Sequence, residues 1–254
     1  MKFRLPQNYF SKIMRAIVEF DMIERGDNIL IGLSGGKDSL LLTYALAMMR
    51  ERTNNKFSLR TLTIDPMFDA AFDTESLSRF CVDLAIPHEI HKVDIAEVIR
   101  SDKKNAPCFT CAFFRRGAIN RYAKEHGCNK VAYAHHNDDA VETLFLSLLY
   151  EGRFHTFHPV TRMSRTGITV IRPLVYLPES HVKHMQKVLD LPVLKSSCPA
   201  DGKTERESMS SLLSELKKYC PDIQERVLHA LRNEPYDLWQ KDCSPDLPDP
   251  DEDP

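Results

Sequence analysis

The sequence predicts an α/β protein: a doubly wound, mostly parallel sheet of five strands, followed by a C-terminal helical appendage. Three observations lead there. Short apolar runs alternate with stretches of helical period over the first two thirds of the chain, as parallel strands joined by right-handed crossovers require. The first apolar run breaks on Ser34-Gly35-Gly36-Lys37-Asp38-Ser39, immediately before a strong helical stretch. From about residue 178 the strand signal stops and only helical patterns remain.

Taken in order, residues 7–24 place Phe10, Ile13, Ile17 and Phe20 at helical spacing, so a helix precedes the first strand. Residues 28–33, NILIGL, are continuously apolar, as in a strand covered on both faces. Further strands are expected at 58–65, 88–94, 130–135 and 167–174, with helices at 38–52, 74–85, 108–126 and 137–150. The late helices read from ESHVKHMQKVLD, ERESMSSLLSELKKY and PDIQERVLHALRN. The organisation predicted is an N-terminal helical segment (1–26), an α/β domain (27–176), a helical region (177–240) and a disordered acidic tail (241–254).

Composition narrows the setting. The chain has 254 residues, 43% hydrophobic and 28% charged, the profile of a globular protein. No apolar run approaches the roughly 20 residues a membrane span needs, and MKFRLPQNYF lacks a signal core. A cytoplasmic protein without a membrane partner is expected. The tail SPDLPDPDEDP carries five acids; removing five negative charges from a net of −2 leaves the rest at +3. Seven cysteines without a secretory signal argue against a disulfide framework and for metal, redox or catalytic roles.

In a doubly wound sheet, ligands sit at the carboxyl ends of the strands. The segment from Ser34 to Ser39 lies there. Glycines let the backbone approach a phosphate, and the helix start presents unpaired N–H groups. Ser34 and Ser39 add hydroxyls, Lys37 a positive charge, and Asp38 a helix cap or a Mg²⁺ ligand. A Walker A loop is excluded, since Ile31 and Asp38 stand where it needs Gly and Ser or Thr.

Cys108 and Cys111 form a C-x-x-C at a helix start, where the dipole is expected to lower their pKa. A redox pair, half a zinc site and part of an iron–sulfur cluster are the readings open to it. No second C-x-x-C exists; Cys198, in KSSCPADG, is the other cysteine in a comparable loop. Three cysteines would leave one iron of a [4Fe–4S] cluster without a thiolate.

SGGKDS after a first strand resembles the PP-loop of the ATP pyrophosphatase superfamily. The ordered set of PP-loop, C-x-x-C with FFRRG, AHHNDDAVETLFL, IRPL and a lone cysteine is similar to the tRNA 2-thiocytidine synthetase group, over about residues 10–205. The resemblance implies a PP-loop, HUP-like fold. Ser34, Gly35, Gly36, Lys37, Asp38 and Ser39 would then hold the pyrophosphate part of ATP, with Asp65 near the nucleoside. His135 and Asp139 would help bind nucleotide or Mg²⁺, and Arg172 would reach a phosphate unless it is a surface ion pair. Cys108, Cys111 and Cys198 would hold a [4Fe–4S] cluster, with Cys108, Cys111 and Asp38 serving catalysis.

The function expected is an ATP-dependent tRNA sulfurtransferase. It adenylates the C2 oxygen of a pyrimidine, cytidine first, and replaces that oxygen with sulfur. Its partners would be tRNA and a sulfur donor, either sulfide or a cysteine desulfurase system; whether it forms a homodimer stays open. Two alternatives also stay open: sulfur insertion into or removal from a non-tRNA substrate, and a zinc-stabilised, ATP-responsive RNA-binding module. Arg115, Arg116 and Arg121, with Lys103 and Lys104, form a candidate phosphate strip beside the cysteines.

Overall fold

A computed structural model of the chain describes residues 4–54, 56–69, 72–101, 107–195, 198, 199, 202 and 204–233. The chain divides into two compact units, one of residues 1–136 and 159–201, the other of residues 137–158 and 202–254. Lys103, Lys104 and the acidic tail lie outside the described residues.

The first unit holds a six-stranded sheet: β1 (Asn28–Gly32), β2 (Ser58–Asp65), β3 (His88–Lys92), β4 (Lys130–Ala132), β5 (Val160–Arg162) and β6 (Thr169–Ile171). Their order is β3-β2-β1-β4-β6-β5. All pairings are parallel except β5 with β6. The sheet therefore has one strand more than the five expected. β5 is a three-residue antiparallel edge, too short to show a period of two in sequence.

Helices α1 (Gln7–Glu19), α2 (Lys37–Arg52), α3 (Thr74–Asp83), α4 (Ile95–Ser101) and α5 (Pro107–Glu125) belong to this unit. α1 stops five residues before its periodic pattern does. Asp21 turns left-handed (φ +48°), and the Met22 N–H donates back to the Ile17 carbonyl (2.9 Å), a helix-ending turn. α4 was not anticipated; it is seven residues long, and Asp94 holds its start by accepting from the Glu97 N–H (2.9 Å).

β1 is covered on both faces, with Ile29, Leu30 and Ile31 fully buried. α2 is buried from Ser39 through Met49 without interruption, as a central helix must be. On the α5 side the core joins Leu30, Leu62, Ile119, Tyr122, Val131 and Ile168. At the start of β1, Asp27 is buried against the Lys130 ammonium (2.8 Å). Its carboxylate also accepts from the Glu24 N–H (2.6 Å) and Asn129 Nδ2 (2.7 Å). Burial pushes this carboxyl up, but those bonds outweigh it and hold it below its ordinary value.

The second unit contains α6 (Asn137–Leu146), a π-helical turn (Ser147–Glu151), α8 (Glu205–Tyr219) and α9 (Ile223–Asn233). The pattern read as one helix over 137–150 widens at Ser147 and ends on Gly152 (φ +64°). Val141, Met209 and Leu213 form its core, with Phe145, Leu216 and Val227 packed around them. α8 starts with a capping box between Thr204 and Glu207. α7 (Glu179–Val188) belongs to the first unit. No helix among the described residues is long and apolar enough to cross a membrane.

Candidate functional site

The strand order changes direction between β1 and β4, which pair Ile31 with Ala132. A crevice at the carboxyl ends of the strands is where such sheets bind ligands. Ser34 follows β1, Asp65 ends β2, His135 follows β4 and Arg172 follows β6. These residues, distant in sequence, all leave the sheet at that end.

The loop is held open by its own bonds. The Ser39 hydroxyl donates to the Gly36 carbonyl (2.9 Å) and accepts from the Ser34 N–H (3.2 Å). The Ser34 hydroxyl lies 3.1 Å from that of Ser39 and accepts from the Gly36 N–H (3.3 Å). Both serines thus brace the turn. Gly35 is left-handed (φ +82°), and a Cβ there would meet Leu194 at 2.9 Å. The Leu194 N–H also donates to the Gly35 carbonyl (3.0 Å). Gly36 (φ −75°) precedes the first turn of α2, and no side chain caps it. The N–H groups of that turn have no partner within the helix.

Lys37 reaches two carboxylates, Asp38 Oδ2 (3.0 Å) and Glu179 Oε1 (3.1 Å). Burial pulls the Lys37 ammonium down in pKa, and the two carboxylates more than offset this, raising it. Asp38 Oδ1 is buried with no hydrogen-bond partner, 3.6 Å from His136 Nε2. An acceptor left so at the mouth of a glycine turn suits a ligand that brings a cation or a proton. The loop, Lys37 and Asp38 therefore fit a nucleotide with Mg²⁺.

Asp65 is buried, and Oδ1 accepts from the Met67 N–H (2.9 Å). It fixes the turn after β2, where Met67 is left-handed (φ +58°). Arg172 is 5% exposed, which rules out the surface ion pair considered for it. Its Nε donates to His135 Nδ1 (3.1 Å) and its Nη1 to Thr161 Oγ1 (3.1 Å). With Nδ1 accepting, a neutral His135 carries its proton on Nε2. Asp139 lies in the second unit, where Oδ1 accepts from Arg206 Nη1 (3.0 Å). Asp138 accepts there from Gln224.

Pro107 opens α5, so Cys108 lies in its first turn and Cys111 begins the second. Cys108 is exposed; Cys111 and Cys198 are half-buried. Cys111 packs on the edge of the core. Burial pushes its thiol up, the Arg115 guanidinium pulls it down, and Cys198 and Cys108 push it up again. The net direction is a rise, opposite to the lowering expected of a helix start, and burial is its largest cause. Cys108 and Cys198 thus both act on the Cys111 thiol.

Among the described residues, no group of three metal-ligating side chains is arranged to hold a single ion. A four-iron cluster spaces its thiolates more widely than a single ion does. Three thiols, two of them acting on Cys111 beside the Arg115 guanidinium, fit such a cluster in donor type and number. Phe109, Phe113 and Phe114 expose their rings along the same helix. Arg115 and Arg116 are half-buried, whereas Arg121 is exposed.

Sequence reasoning missed Glu179 and Leu194. Neither belongs to a motif, and only the return of the chain to the loop brings them there.

The profile of the PP-loop domain family matches residues 7–214. The tRNA-cytidine(32) 2-sulfurtransferase of Geobacter metallireducens is 34% identical over 86% of this chain and 86% of its own. That of Legionella pneumophila is 33% identical over 86% of this chain and 78% of its own. The U34-tRNA thiolase NcsA from Methanococcus maripaludis, solved with its [4Fe-4S] cluster, shares the fold. Its TM-score is 0.74 at 23% identity, covering 89% of this chain and 77% of that one.

Proposed function

This chain belongs to the PP-loop domain family, and from that premise we propose that it is an ATP-dependent tRNA sulfurtransferase acting on a pyrimidine, cytidine first. Two observations support the substrate and the cofactor. The bacterial relatives over 30% identical carry the name tRNA-cytidine(32) 2-sulfurtransferase. Cys108 and Cys198 acting on Cys111, in the unit that carries the glycine turn, is the single feature that favours sulfur chemistry over ATP use of another kind.

In the first step the pyrimidine C2 oxygen attacks the α-phosphorus of ATP. The P–O bond to the pyrophosphate breaks, and pyrophosphate leaves. Backbone N–H groups of Gly35, Lys37 and Asp38 and the Lys37 ammonium stabilise the charge that develops there. Asp38 would hold Mg²⁺, which screens the same oxygens when bound. Ser34 and Ser39 keep the turn shaped, Asp65 faces the nucleoside side, and Arg172 orients His135. Asp139 is assigned to Mg²⁺ or nucleotide binding on the strength of its motif.

In the second step sulfur bonds to C2 and the C2–O bond breaks, releasing AMP. No net oxidation occurs if sulfur arrives as sulfide, whether free or delivered by a cysteine desulfurase system. Cys108, Cys111 and Cys198 would hold a [4Fe–4S] cluster, which supplies an iron free of protein thiolate where sulfide can be presented. Arg115 places positive charge beside Cys111. The exposed rings of Phe109 and Phe113 offer flat faces to a base taken out of its stack.

The test is anaerobic purification followed by iron, sulfide and zinc quantification with an absorption spectrum. It is run on the wild type and on Cys108→Ala, Cys111→Ala and Cys198→Ala, alongside product analysis of ATP. A brown protein with about four irons and four sulfides, lost in every variant, and tRNA-dependent release of AMP and pyrophosphate are expected. A zinc protein, or release of ADP, would contradict the proposal.

A further inference from the structure

The loop lysine does not face an incoming nucleotide alone. Its ammonium sits between Asp38 Oδ2 (3.0 Å) and Glu179 Oε1 (3.1 Å). The second oxygen of Glu179 accepts from Lys183 (2.7 Å), whose side chain is 58% exposed. We infer that Glu179, at the start of α7, is a positioning residue that makes the loop accept nucleotide only together with a divalent cation. The inference rests on the reading of residues 34–39 as the ATP site.

The glycine turn and the start of α2 attract phosphate through N–H groups and the helix dipole. Lys37 would normally add a full positive charge. Here two carboxylates already answer that charge, and solvent screens Lys183, which pairs with the second oxygen of Glu179. Partial burial pushes the Glu179 carboxyl up, but its bonds to Lys183 and Lys37 outweigh this and hold it below its ordinary value. It is therefore charged at neutral pH.

Metal-free ATP brings its negative charge against Asp38 and Glu179 and must compete with them for one ammonium. ATP bearing Mg²⁺ offers the carboxylates a counter-charge and frees Lys37 for the phosphates. Rejecting the wrong ligand by an unpaired like charge is a usual source of specificity. Glu179 acts on the phosphates through Lys37, so it positions and does not catalyse.

A purely structural reading exists, because an acid in the first turn of a helix is favoured by the dipole alone. The two readings differ in measurement. Binding of an ATP analogue with a non-cleavable α,β-bridge is titrated by calorimetry on the cluster-containing protein, once with Mg²⁺ and once with EDTA. Wild type, Glu179→Gln and Glu179→Asp are compared, with melting curves as a check on folding.

Glu179→Gln is expected to bind the metal-free analogue about tenfold more tightly than wild type, the scale of lifting one partly screened like charge from beside the phosphates. Its binding of the Mg²⁺ form stays equal or weakens, so the preference for metal narrows. Glu179→Asp keeps the charge and restores the preference. If Glu179→Gln weakens both forms equally, or leaves the metal preference unchanged, Glu179 is a structural residue and the inference fails. If wild type binds neither form, the reading of the loop as an ATP site fails and takes the inference with it.

Discussion

Replacing Gly35 by alanine tests how the loop is built. At φ +82° an L-residue costs about 1–2 kcal/mol more than glycine. The new Cβ would lie 2.9, 3.1 and 3.3 Å from Leu194 Cδ1, Cγ and Cβ. The far end of Leu194 can swing away, but its Cβ follows the backbone that bonds to the Gly35 carbonyl (3.0 Å). Overpacking of this kind costs a further 1–3 kcal/mol or so. The sum, about 2–5 kcal/mol, either distorts the loop or destabilises the fold.

Two assays separate those outcomes. Titration with a fluorescent ATP analogue reads the loop, where about 2 kcal/mol or more is roughly a thirtyfold loss of affinity. Thermal melting reads the fold, where each kcal/mol moves the midpoint by about 2–4 °C for a protein of this size. Gly26→Ala is the control: φ is +94° with nothing within 4 Å. It should lower the melting point by the backbone cost alone and leave nucleotide binding intact. Gly36→Ala meets only Ser34 Oγ at 3.4 Å, so it should melt normally while its methyl obstructs the phosphate. If Gly35→Ala binds nucleotide and melts as wild type does, the account of the turn is wrong.

Further outcomes follow from other sites. Lys130→Met leaves Asp27 buried without its cation and should cost about 3–5 kcal/mol in urea unfolding. The depressed Asp27 pKa adds stability above the unfolded carboxylate value near pH ~4, lost as pH falls through the folded value. Acid unfolding of Lys130→Met should therefore begin at higher pH than in wild type. In metal-free protein, site-resolved alkylation of Cys111 should keep accelerating past pH 9, because burial holds the thiol protonated; a plateau below pH 8 would refute that. Phe113→Ala should weaken tRNA binding by about tenfold, near the low end of one base–aromatic stack, and leave ATP affinity unchanged. Equal binding by gel shift would exclude the ring from the RNA surface.

Much of the fold was legible because its determinants are local. NILIGL is apolar on both faces, SGGKDS marks the turn, and the late helices keep period and caps. What escaped was set by tertiary pairing. Val160–Arg162 becomes a strand only beside Thr169–Ile171, and a three-residue run carries no period. The break of the helical pattern at Ser147 has no proline or glycine before Gly152 to announce it. In the site, motifs named the residues but not their partners. Arg172 read from its sequence neighbours as either a phosphate contact or a surface ion pair, and β5 and the loop after β4 enclose it through Thr161 and His135. The Cys111 thiol followed burial rather than helix position. Glu179 and Leu194 carry no motif and meet the loop only through the return of the chain.

The most direct test of the central claim is nucleoside mass spectrometry on tRNA. Unmodified tRNA is incubated anaerobically with the cluster-containing protein, ATP, Mg²⁺ and sulfide, then digested. The account expects 2-thiocytidine that requires ATP and disappears in Cys198→Ala. Thiolated nucleoside formed equally by Cys198→Ala, or none formed by a wild-type protein that carries its cluster and binds ATP, would contradict it.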